Sequence, residues 1–128
     1  MRITIEVIPH ANQRYETCGD WQFKGDALEI RVSAMGDARY EFLVGIHEAI
    51  EAFLAVTRQG SNVEGRLDLF DMKYEANRSE GDVSEPGDDP ACPVYLEHQI
   101  ATGIERLLAA SLNVDWKTYD STVNALGE

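Results

Sequence analysis

Apolar and polar residues alternate from Arg2 to Ile8. Ile3, Ile5 and Val7 fall on one face before Pro9 ends the run, which is the period-two signature of a half-buried strand. Turn signals at Gly19-Asp20 and Lys24-Gly25-Asp26 bracket Trp21-Gln22-Phe23 as a short second strand. Alternation returns over residues 27–33 through Leu28, Ile30 and Val32. Strands this short need a helix packed on one face. After Met35-Gly36-Asp37-Ala38 the period changes to that of a helix: residues 40–57 carry Leu43, Ile46, Ile50 and Leu54 at the spacing of one buried stripe, and Gly60-Ser61-Asn62 closes the segment. A second helix is expected from residue 62 or 63 to 76, with Leu67, Phe70 and Tyr74 on one side and Asp68, Asp71 and Glu75 on the other.

Residues 77–90 have no period, only polar residues with Gly and Pro punctuation, and predict a loop long enough to serve as a functional lid. Asp88 or Asp89 before Pro90 reads as the start of a third helix reaching about Leu112, with Ile100, Ile104, Leu107, Leu108 and Ser111 as its inward stripe. A short last helix spans residues 116–126. The expected architecture is α+β and one domain over residues 1–128: a small N-terminal antiparallel sheet within residues 1–36, then three to four helices within 37–128.

Composition narrows the function classes. There are 23 acidic residues against 11 Lys and Arg, a net charge of −12, which argues against nucleic acid and against anionic lipid as partners, since both require clustered basic residues. The most apolar stretch, residues 42–56, is interrupted by His47, Glu48 and Glu51, so no membrane span is expected, and the alternating, glutamate-bearing start is unlike a signal peptide. The expected compartment is the cytoplasm, with Cys18 and Cys92 as reduced thiols.

The chemistry-bearing motif is His47-Glu48-Ala49-Ile50-Glu51 in the middle of the first helix. Residues four apart share a helical face, so His47 and Glu51 reach a common point flanking the apolar stripe, with Glu48 on the same side. An imidazole and a carboxylate so placed, beside a second glutamate, are what a helix-borne metal site with a general base requires. Further ligands must come from elsewhere. The third helix offers Glu97-His98: periodicity turns Glu97 inward, whereas ligand chemistry favours His98. The acidic face of the second helix reads first as a solvated one; read more sharply, Asp71 could add a carboxylate ligand or orient a ligating histidine. No phosphate-cradling glycine loop, serine-hydrolase elbow or EF-hand register is present, and the tryptophans and tyrosines are assigned to core packing.

The segment from Tyr40 to Glu51 resembles the active-site helix of zincin-type metallopeptidases. The run from Tyr40 through Ser84-Glu85-Pro86-Gly87-Asp88-Asp89-Pro90 to Glu97-His98 and Ile104-Glu105-Arg106 is similar to a group of small uncharacterised phage and prophage proteins. The zincin likeness implies that His47 and the residue at Glu51 bind metal and that Glu48 activates water. It departs from the zincin pattern at Glu51, where zincins carry histidine.

These readings converge on a zincin-like metal-binding protein, a metal-dependent hydrolase of peptidase type or its inactive relative. His47, Glu51 and His98 would hold a divalent metal, zinc as the zincin resemblance implies, with Asp71 as further ligand or support and Glu48 as the catalytic base; the carboxylate at Glu51 equally allows a structural or non-zinc site. The alternative is a non-catalytic acidic phage protein that binds a basic host or phage protein. A third option is a carboxylate Mg²⁺ site built from Glu48, Glu51, Asp68 and Asp71; the β-rich start and the missing basic phosphate clamp count against it.

Overall fold

The computed structural model describes residues 1–126. Three strands, β1 (Arg2–Ile8), β2 (Gly19–Lys24) and β3 (Ala27–Ser33), precede four helices, α1 (Ala38–Gln59), α2 (Val63–Ala76), α3 (Tyr95–Ser111) and α4 (Trp116–Leu126). This is the α+β arrangement that the change of period predicts. The sheet is mixed, however, and not wholly antiparallel as expected. Its order is β1-β3-β2, with β2 and β3 joined as an antiparallel hairpin and β1 running parallel to β3 from Arg2↔Ala27 to Ile8↔Ser33. The reason is burial. Leu28, Ile30 and Val32 are at most 1% exposed, so β3 takes the centre, and β1 has to reach its free side across residues 9–18.

Helix α1 lies across the sheet, opened by the Asp37 carboxylate, which accepts from the Arg39 amide, and ended at Gly60. Its position on β1 is set by Gly45: a Cβ there would lie 2.8 Å from Ile5 Cγ2. Helix α3 packs antiparallel to α1, so that His47 sits opposite Glu105 and Gln59 opposite Glu97. It begins at Tyr95, several residues later than the Asp-Pro signal suggests. Pro86–Asp88 forms one 3-10 turn, and Asp89 caps only a tight turn by accepting from the Ala91 amide.

The two long helices are rolled relative to expectation. On α1 the deeply buried positions include Leu43 and Val44 but also His47 and Glu51, while Ile46, Ile50 and Leu54 are only half-buried and Phe42 and Phe53 are exposed. On α3 the expected inward stripe is contradicted: Glu97, His98, Ala101, Glu105 and Ala109 face in, and Ile100, Ile104 and Leu107 face out. Polar groups can be buried at this density only if each is hydrogen-bonded. Here they bond to one another, which is what turns the polar faces of α1 and α3 together.

Candidate metal centre

His47 and Glu51 are one turn apart near the middle of α1, and α3 brings His98 against them. Three donor atoms face one point. His47 Nε2 is 3.3 Å from Glu51 Oε2 and 3.1 Å from His98 Nδ1, and His98 Nδ1 is 2.9 Å from Glu51 Oε2. Around a tetrahedral zinc with bonds of about 2.0–2.1 Å, neighbouring donors are about 3.3–3.4 Å apart, so this triangle is close to the face of such a site. All three residues are buried, and together they could hold a metal ion.

Each ligand is also held from behind. His47 Nδ1 and a Glu105 oxygen are 2.7 Å apart, and the Tyr119 hydroxyl on α4 donates to the other Glu105 oxygen. Glu105 thereby holds a proton on Nδ1 and turns Nε2 inward, the support that metal-ligating histidines usually have. The outer nitrogen of His98, Nε2, lies 3.3 Å from both Glu85 and Asp88 of the loop. The indole N–H of Trp21 on β2 donates to Glu51 Oε1 at 3.1 Å, leaving Oε2 for the shared point.

Two glycines make room for this. A Cβ on Gly87 would lie 2.5 Å from the His98 ring, so the loop backbone rests directly on the imidazole, and a Cβ on Gly19 would lie 2.9 Å from the Glu48 side chain.

The charges are coupled. Burial opposes protonation of His47, but the Glu105 and Glu51 carboxylates outweigh it and raise its pKa well above the usual range. His98, subject to the same opposition and drawn by Glu51 and Glu85, is raised to about 10. Burial would raise Glu51, yet the two histidines pull it well below the ordinary carboxylate range. The two imidazoles thus hold protons against the ionised Glu51 carboxylate at one point, and a divalent cation could replace those protons. Glu48 differs: burial, reinforced by the Glu51 charge, raises its pKa well above normal, as suits a group that takes up a proton.

A cavity of about 150 Å³ opens beside the cluster, lined by Glu48, Glu51, His47, His98, Tyr15 and Asp71 among others. The acidic side of α2 lines this cavity and is half-buried. Asp71 accepts a hydrogen bond from the Tyr15 hydroxyl at 3.1 Å, and burial together with the nearby Glu51 charge raises its pKa to about 7. It stands on the cavity wall, outside the trio of converging donor atoms. Asp68 is held by Arg14, which also clamps the buried Asp20. The choice between Glu97 and His98 resolves by direction: both are buried, but Glu97 turns away to Gln59 and Arg58.

Sequence reasoning missed Trp21, Tyr119, Glu85 and the orienting role of Glu105. Only Glu105 has a sequence signal, since it follows His98 by two helical turns and shares its face. Cys18 and Cys92 are free. No helix among the described residues is long and apolar enough to cross a membrane. No protein-family model, curated protein or solved structure matches the chain.

Proposed function

We propose that the protein is a zinc-dependent hydrolase of zincin-like character, with His47, Glu51 and His98 as the metal ligands and Glu48 as the general base. The observation that carries the reading is the triangle of donor atoms, each belonging to a side chain whose other polar atom is bound to a carboxylate or an indole N–H, so that the remaining donor atom is turned inward. Two imidazoles and one carboxylate form a donor set used by catalytic zinc, which keeps a further position open. Bound there, zinc would polarise a substrate carbonyl and lower the pKa of water. The residues do the remaining work. Glu48, with its raised pKa and its place on the cavity wall, accepts the proton of the attacking water and returns it to the leaving group. Asp71 and Tyr15, which also line the cavity, contact the substrate beyond the reacting bond. The zincin likeness of residues 40–51 supports the same assignment of His47 and Glu48.

The test is metal analysis of untagged protein together with hydrolysis of a peptide library. The expected result is close to one equivalent of zinc, lost in His47→Ala and weakened at acidic pH as the histidines protonate. Glu48→Gln should keep the metal and lose hydrolysis. Metal content unchanged by His47→Ala refutes the site, and full hydrolysis by Glu48→Gln refutes the base.

A further inference from the structure

The roll that brings the polar faces of α1 and α3 together leaves their apolar faces outside. On α3, Leu96, Ile100, Ile104 and Leu107 are 37–71% exposed. On α1, Phe42, Ile46 and Phe53 lie within an arc of about 40° of the helix. That arc sits between the side of α1 facing β1, where Gly45 meets Ile5, and the side facing α3, where His47 meets Glu105. Ile3, Ile5 and Val7 of β1 continue the face, and they are 40–50% exposed on a strand with no neighbour on its outer edge. The result is one apolar surface running over β1, α1 and α3.

Its size says what covers it. From their fractional exposures, the nine exposed side chains of this face, half-buried Ile46 left aside, leave on the order of 800 Å² of apolar surface, the share each partner brings to a standard interface. Typical monomers expose largest patches of about 300–600 Å². The α3 pattern then selects the partner. Leu96, Ile100, Gly103 and Leu107 are spaced four, three and four, the seam of a helix that packs along another helix, and the arc they form holds no charged residue despite the net charge of −12. The seam is also self-complementary. If two such helices run antiparallel, Leu96 of each copy meets Leu107 of the other, and Ile100 of each meets Gly103 of the other. Nothing lies within 4 Å of the place a Gly103 Cβ would occupy, so each isoleucine has a hole to enter.

We infer that two copies of this chain form a symmetric dimer through the face built from β1, α1 and α3, with the two α3 helices antiparallel about the two-fold axis. Closed two-fold pairing is the commonest way for a chain to bury such a face. Because His98 and Glu105 lie on the opposite side of α3 from the seam, the dimer covers the back of the metal centre and leaves its cavity open.

Sedimentation velocity on the full chain at micromolar concentration tests this. The expected species is twice the 14.3 kDa chain mass. Ile100→Asp/Leu107→Asp should sediment as a monomer with unchanged far-UV circular dichroism and unchanged metal content, since both side chains already face out. Leu96→Cys/Leu107→Cys should form a disulfide-linked dimer on mild oxidation, while neither single variant does. A monomeric parent, a dimer that survives the double aspartate variant, or cross-linking of Leu96→Cys alone would each overturn the proposal. None of these outcomes depends on hydrolytic activity.

Discussion

Replacing Glu105 by glutamine isolates the part played by the carboxylate behind His47. Glu105 is 8% exposed and bonds His47 Nδ1 at 2.7 Å on one oxygen and the Tyr119 hydroxyl on the other. Glutamine keeps the volume and one acceptor but removes the charge. A hydrogen bond to a charged group contributes about 1.5–3 kcal/mol and a neutral one about 1 kcal/mol, so the ring loses roughly 0.5–2 kcal/mol of orienting energy. At about 1.4 kcal/mol per factor of ten, zinc affinity should fall roughly 2- to 30-fold, overlapping the lower part of the roughly 10- to 100-fold range usual for residues that orient a metal ligand. Competition against a chromophoric chelator at neutral pH measures it, with urea unfolding of the metal-free protein as control for stability. Unchanged affinity would mean that Glu105 does not set the His47 ring. A loss as complete as that of His47→Ala would mean that Glu105 is itself a ligand.

Gly87→Ala should displace the His98 ring, because the added carbon lies 2.5 Å from it; zinc retention on dialysis against chelator should drop about tenfold or more, with only a small change in melting temperature. Asp71→Asn should stabilise the metal-free protein above neutral pH. The folded-state pKa of about 7 lies above the ordinary value of 3.8, so the contribution of the protonated carboxyl is full below about pH 4 and is lost as pH rises through 7. The gain, roughly 1–3 kcal/mol after allowing for solvent screening, should be larger at pH 8 than at pH 5 by urea titration. Leu43→Ala, at a position with 0% exposure, should cost about 2–5 kcal/mol, whereas half-buried Ile50→Ala should cost only about 1–2 kcal/mol. Equal losses would contradict the observed roll of α1.

Local pattern alone determined the type and order of the strands and α-helices of this protein. The strand at Arg2–Ile8, the strand at Ala27–Ser33 and the last helix at Trp116–Leu126 have the bounds that alternation and turn residues indicate, because these signals act between neighbours in the chain. The pairing of His47 with Glu51 was legible for the same reason: the geometry of one helical turn places them together whatever surrounds them. Which face of each helix turns inward was decided only by the tertiary structure. Hydrophobic periodicity assumes that apolar area outweighs every other term, and it therefore points Ile100, Ile104 and Leu107 of α3 inward. In the folded chain, Glu51, His47, His98 and Glu105 satisfy one another and Trp21 and Tyr119 complete their bonds, so the polar faces can be buried at little net cost. That arrangement joins residues from β2, α1, α3, α4 and the loop at 77–90. No spacing along the chain records which of them will meet, because the meeting depends on all five being in place at once.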